Sequence, residues 1–231
     1  MPPHPLNRPD HPETEAMASL AMTKDVEIQP YGLRGDLALP QPDMGLVLFA
    51  HGSGSGRLSP RNRHVAEGLQ SAGLGTLLFD LLTEDESTDR YKVFDVPLLA
   101  GRLAAATEFI RSRSDAGDTR IGYFGASTGA AAALVASTIV PDPIRAIVSR
   151  GGRPDLAGNR LVEVTAPTLL IVGGLDEGVI ALNERAHARL EADKQIAIVP
   201  GAGHLFEEPG TLDQVILLAR DWFVRHLGSA P

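Results

Sequence analysis

Residues 120–136 read RIGYFGASTGAAAALVA, and this stretch decides the fold. The segment Arg120–Gly125 is short, apolar and aromatic, and it reads as a strand buried on both faces. An alanine-rich stretch from Thr128 reads as a helix, with only Gly125-Ala126-Ser127-Thr128-Gly129 to turn the chain between them. That pattern is G-x-S-x-G in the context it requires, a strand before and a helix after. So sharp a turn forces the serine into a strained conformation and leaves no room for side chains two residues on either side. The alanines allow the helix to lie close against the sheet. The Ser127 hydroxyl is then expected above the strand ends, at a helix N-terminus whose dipole favours negative charge. The competing role for this serine is that of an ordinary helix N-cap.

The same alternation extends in both directions. Val26–Pro40 suggests two short strands around a glycine-containing turn. Further strand-length apolar runs are Leu46–Ala50, Thr76–Asp80, Ile144–Ser149, Thr168–Val172 and Gln195–Val199, read as covered on both faces. Helix-like stretches lie between them at Ser59–Ala72, Val96–Arg113, Thr128–Thr138, Val179–Ala192 and Leu212–Leu227. One continuous alternating series predicts a single α/β domain over residues 25–231, a mostly parallel sheet with helices on both sides. Residues 1–24, rich in proline and charge, are expected to form a flexible tail.

Composition narrows the chemistry. Of 231 residues, 29 are acidic and 21 are Lys or Arg, a net charge of −8 that argues against a nucleic-acid-wrapping protein. The absence of cysteine excludes disulfides, thiolate metal sites and a cysteine nucleophile. No run of 18 apolar residues occurs, so no membrane association is expected and a cytoplasmic location is the default.

In open sheets of this type, ligands bind beyond the carboxyl ends of the strands. His51-Gly52-Ser53-Gly54-Ser55-Gly56-Arg57 follows the Leu46–Ala50 run. It does not complete G-x-G-x-x-G, because Arg57 stands where the last glycine should be, and it lacks the P-loop lysine. A loop offering a backbone N–H to a developing oxyanion suits it better. A serine nucleophile needs a base, and His204 in the small-residue loop after the last strand is the candidate, with His51 its main competitor. The base needs a carboxylate to hold its tautomer. Asp176 follows the penultimate strand, and Glu177, Asp80 and Asp142 are other acids near strand ends. The order Ser127, Asp176, His204, each after a different strand, predicts convergence on one rim.

On these residues the chain resembles the α/β-hydrolase superfamily, and within it the small, lidless dienelactone-hydrolase-like family. The resemblance rests on HGSGSGR (51–57), GASTG (125–129), GGLD (173–176) and GAGHLF (201–206), and covers about residues 26–227. It implies an eight-stranded sheet, no large cap, a Ser127–Asp176–His204 triad and an oxyanion hole from the N–H groups of Ser53 and Thr128. Dienelactone hydrolase itself attacks with a cysteine, and this chain departs from it there. A serine carboxylesterase acting on small or short-acyl esters through an acyl-enzyme is therefore expected, with no cofactor and no metal. An acyltransferase, a cofactor-free perhydrolase and a non-catalytic small-molecule receptor are the alternatives. Arg57, Arg61, Arg150 and Arg153 are candidates to hold a substrate carboxylate, against the plainer role of surface or intersubunit ion pairs in a homo-oligomer. The acidic stretch Leu81–Asp95 is expected to line the entrance.

Overall fold

The computed structural model describes residues 23–228. They form one eight-stranded sheet, β1 (Thr23–Ile28), β2 (Leu33–Ala38), β3 (Leu46–Ala50), β4 (Gly75–Phe79), β5 (Ile121–Ala126), β6 (Ala146–Arg150), β7 (Thr168–Gly173) and β8 (Lys194–Val199). Their order across the sheet is β1-β2-β4-β3-β5-β6-β7-β8. The β1–β2 hairpin joins antiparallel to β4. From β4 across to β8 every pairing is parallel. The helices are α1 (Pro60–Gln70), α2 (Glu84–Ser87), α3 (Arg90–Val93), α4 (Val96–Arg111), α5 (Thr128–Ala136), α6 (Glu177–Arg189) and α7 (Thr211–Leu227), with a 3-10 segment over Pro154–Glu163. The expected tail falls mostly outside the described residues, and Thr23 and Lys24, placed in it by the sequence, belong to β1.

Two apolar layers sandwich the sheet. Leu48, Leu77, Tyr123, Ile147 and Leu170 face one layer with Leu103, Ala132 and Leu134 of α4 and α5. Val47, Phe124, Val148 and Ile171 face the other with Val65 of α1 and Val215, Trp222 and Phe223 of α7. Strands β3 to β7 are buried at every residue, which is why they read as unbroken apolar runs. The run Gln195–Val199 departs from that reading. It is β8, a sheet edge with partly exposed residues, and Ile198 is 44% exposed.

The five longer helices start and stop within a few residues of their expected bounds, with local causes. Ser59 caps α1, accepting from the Asn62 N–H, and Pro60 stands at its first position. Asp95 caps α4 by accepting from the Leu98 N–H. Thr83 and Glu86 form a reciprocal capping box on α2. Helices α2 and α3 have four residues each, too few to show a periodicity. No described helix is long and apolar enough to cross a membrane.

The turn from β5 into α5 has the strain its sequence predicts. Ser127 sits at φ 50, ψ −121, a region that L-residues avoid. A Cβ on Gly125 would lie 2.5 Å from Ala130 Cα, and one on Gly129 would lie 2.1 Å from the Ala50 carbonyl oxygen. Both glycines are therefore required by close backbone approach. Helix α5 is buried almost from end to end, with Ala130 to Leu134 wholly inaccessible.

Candidate active site

The site stands on the carboxyl-end rim of β3, β5, β6, β7 and β8. Ser127 takes its place from the β5–α5 turn, where its N–H donates to the Arg150 carbonyl (3.3 Å) and its own carbonyl accepts from Arg153 N–H (3.0 Å). Its side chain makes no cap hydrogen bond to α5, so the N-cap role does not apply. Asp176 leaves β7 through a turn that its N–H closes on the Gly173 carbonyl (3.0 Å). His204 lies in the β8–α7 loop. Glu208 staples that loop by accepting from the Gly203 N–H (3.0 Å), and backbone N–H donation holds its carboxyl below the ordinary range.

The structure brings Asp176 and His204 together, with His204 Nδ1 2.6 Å from Asp176 Oδ2. A carboxylate at that distance accepts a hydrogen bond from Nδ1–H, which keeps the proton on Nδ1 and leaves Nε2 as the basic nitrogen. His204 also approaches the β6 exit beside Ser127, its Cε1 3.8 Å from where a Cβ on Gly151 would stand. Gly151 follows Arg150, the β6 partner of Ala126. The Ser127 hydroxyl itself makes no hydrogen bond to His204, an arrangement common in substrate-free sites that tighten on binding.

His51 is occupied elsewhere. Its Nε2 accepts the Leu81 N–H (2.9 Å) and its Nδ1 lies 3.0 Å from the Gly52 carbonyl, so both ring nitrogens are committed within the fold. Burial is the main reason its pKa falls below the ordinary 6.5, although the Gly52 carbonyl and Asp80 favour the charged form. The folded chain thus resists a proton that the unfolded chain accepts. Stability is expected to fall as pH drops below 6.5 towards the folded value, because there the unfolded state binds more protons. His226, lowered chiefly by burial as well, acts in the same direction. Thermal unfolding followed across that window should show the slope, and His51→Gln should reduce it. An undiminished slope would show that His51 does not contribute.

None of the other candidate acids hydrogen-bonds or pairs with His204, whose carboxylate partner is Asp176. Glu177 opens α6, Asp80 holds Arg57, and Asp142 lies 3.8 Å from Arg111. Gly52 abuts Ser127, a Cβ on it falling 3.0 Å from Ser127 Cβ. The turn after it is closed by Ser55 N–H on the Gly52 carbonyl (3.2 Å), which does not use the Ser53 N–H. Thr128 is the first residue of α5, where an N–H has no intrahelical acceptor. Beside this loop opens a cavity of about 600 Å³, lined by His51, Ser53, Leu82, Thr83, Val93 and Leu99 among others. Leu82 to Val93 of the acidic stretch thus contribute to a cavity beside the 51–57 loop, whose lining does not include Ser127, Asp176 or His204.

The four arginines differ, and Arg61 pairs with Glu207 (2.8 Å). Arg57 pairs with Asp36 (3.0 Å) and Asp80 (3.2 Å), and Arg153 is held by both oxygens of Asp155 at 2.8 Å. Arg150, at the end of β6, is 8% exposed and pairs with no carboxylate among the described residues. Burial first and the Arg61 charge second lower its pKa to about 10, so it stays cationic at neutral pH. Asp36 was not singled out by sequence reasoning; it acts through a neighbouring strand.

Comparisons with known proteins agree with the fold. A model of the dienelactone hydrolase family matches residues 81–215. The crystal structure of dienelactone hydrolase from Anabaena variabilis is 52% identical, with a TM-score of 0.85 over 90% of this chain and 98% of that one. Est1E from Butyrivibrio proteoclasticus shares the fold at 15% identity, with a TM-score of 0.72 over 88% of this chain and 98% of that one. A Mycobacterium tuberculosis protein named "Putative phosphoribosyl transferase" is 55% identical over 213 residues, covering 90% of this chain and 48% of that protein. The chain thus spans about half the length of that curated relative.

Proposed function

The chain belongs to the dienelactone hydrolase family, and from that premise we propose that it hydrolyses small or short-acyl carboxylic esters through an acyl-enzyme on Ser127. The observation that carries this reading is the His204–Asp176 pair at 2.6 Å on the same rim as a strained, uncapped serine. Ser127 Oγ attacks the ester carbonyl carbon as His204 Nε2 takes its proton. The carbonyl electrons move to oxygen, which the N–H groups of Ser53 and Thr128 receive. Collapse expels the alcohol, which leaves with the proton from His204. Water, deprotonated by His204, then attacks the acyl-enzyme, and Ser127 departs reprotonated. Asp176 stays ionised and steadies the imidazolium at each turn.

The phosphoribosyl name of the Mycobacterium relative is not carried over, because the match takes in 48% of that protein and the loop after β3 has no phosphate-binding pattern. The test is a series of p-nitrophenyl esters of increasing acyl length, run beside Ser127→Ala. Serine-dependent release of p-nitrophenolate supports the reading. Failure across the series, with tight binding of a small molecule, would favour a receptor.

Of the four candidate arginines, Arg150 is the one with no carboxylate partner among the described residues, and it is the residue proposed to meet a substrate carboxylate. An ester carrying a free carboxylate, such as mono-p-nitrophenyl succinate, should lose about 10- to 100-fold in kcat/KM in Arg150→Gln. The neutral acetate should change little. Equal losses on both esters would remove Arg150 from substrate recognition.

A further inference from the structure

We propose that Asp80 and Arg57 are positioning residues that hold the oxyanion loop, residues 51–57, in register with the nucleophile, an inference that rests on the acyl-enzyme reading above. Strand β4 lies beside β3 in the sheet, so the chain leaving β4 runs next to the loop leaving β3. Two consecutive residues of the β4 exit tie down the two ends of that loop. At one end, Leu81 N–H donates to His51 Nε2 (2.9 Å). At the other, Asp80 Oδ1 accepts the backbone N–H of Arg57 (2.8 Å), while Oδ2 lies 3.2 Å from Arg57 Nε. The Arg57 guanidinium continues to Asp36 on β2, with Nη1 3.0 and 3.2 Å from its two oxygens. Asp80 is itself seated by its N–H on the Arg34 carbonyl (3.0 Å).

The fit leaves no slack. A Cβ on Gly56 would stand 2.6 Å from Asp80 Oδ1, so glycine is needed there to let the carboxylate reach the Arg57 N–H. Glycine at positions 52, 54 and 56 would otherwise leave the segment conformationally free. An oxyanion hole works by being arranged before charge develops, and a misplacement of about 1 Å can lower rates about 100-fold. Arg57 and Asp36 are each 22% exposed, so their pairing is less screened than one on the open surface. Arg57 is thereby committed to the loop and not to a substrate carboxylate.

The experiment uses a neutral ester, p-nitrophenyl acetate, and phenylboronic acid, which adds to the serine and mimics the tetrahedral intermediate. Asp80→Ala should lower kcat about 100-fold, leave KM unchanged and weaken boronate inhibition in parallel. Asp80→Asn keeps an acceptor for the Arg57 N–H, and Arg57→Met removes only the ion pairs. Each should lose about 10-fold, between wild type and Asp80→Ala. Gly56→Ala should be harmful alone and add little in the Asp80→Ala background, since both act on one contact. Wild-type kcat in Asp80→Ala, or a raised KM with kcat intact, overturns the proposal. So does an Arg57→Met defect confined to the carboxylate-bearing ester. If Asp80→Ala does not fold, Arg57→Met and Asp80→Asn decide by the same criteria. Full hydrolysis by Ser127→Ala would instead defeat the acyl-enzyme reading, a separate failure.

Discussion

Ser127→Ala is expected to lower kcat for ester hydrolysis by about 10⁶ while leaving the fold intact. The size follows from what the substitution removes. Without Oγ there is no acyl-enzyme, and only substrate binding and the oxyanion donors remain, worth about 10³ to 10⁴ over water. The unchanged stability follows from the serine's surroundings. Its side chain makes no cap bond to α5, so alanine leaves no α5 N–H newly unsatisfied. The strained backbone at φ 50 is held by neighbouring glycines and by the Arg150 and Arg153 backbone, not by the hydroxyl. A change in unfolding free energy within about 0.5 kcal/mol is therefore expected. Measuring turnover together with thermal unfolding checks both halves. Near-normal turnover in a folded variant would show that another group attacks the substrate.

Asp176→Asn should lower kcat by about 10⁴ with little change in KM. The carboxylate accepts from His204 Nδ1 at 2.6 Å and so keeps the proton off Nε2. An amide can turn its NH₂ towards the ring, which then presents the wrong tautomer to the serine. It also offers no charge to the imidazolium that forms during attack. Steady-state kinetics on a short ester gives the value. If the variant keeps most of its rate, the acid has been misassigned, and Glu177→Gln becomes the next variant because Asp80 is engaged with Arg57.

The legible parts of this molecule were those whose causes are local. G-x-S-x-G between an apolar run and an alanine run determines a turn, a strain and a helix within 17 residues (120–136), all readable in order. Asp176 and His204 were readable because each stands just beyond an apolar strand, and parallel strands deliver their exits to one rim. What lay hidden depends on which strands become neighbours. The crossed order β2-β4-β3 places Asp36, Arg57 and Asp80 together across 44 residues of sequence (36–80), with no local pattern to announce it. The ambiguity of His51 had the same source, since its ring is claimed by Leu81, 30 residues away. The exposure of β8 depends on its being last in the sheet, which its composition does not record.

The almost fully buried helix α5 bears on how the protein fails. Regions that breathe are those with few buried contacts, and this helix is their opposite. Local opening of rims and termini can come and go without disturbing the mount of Ser127. Loss of the proposed activity on heating and melting of the domain should consequently be one event, with Ser127 among the last parts of the protein to lose its footing.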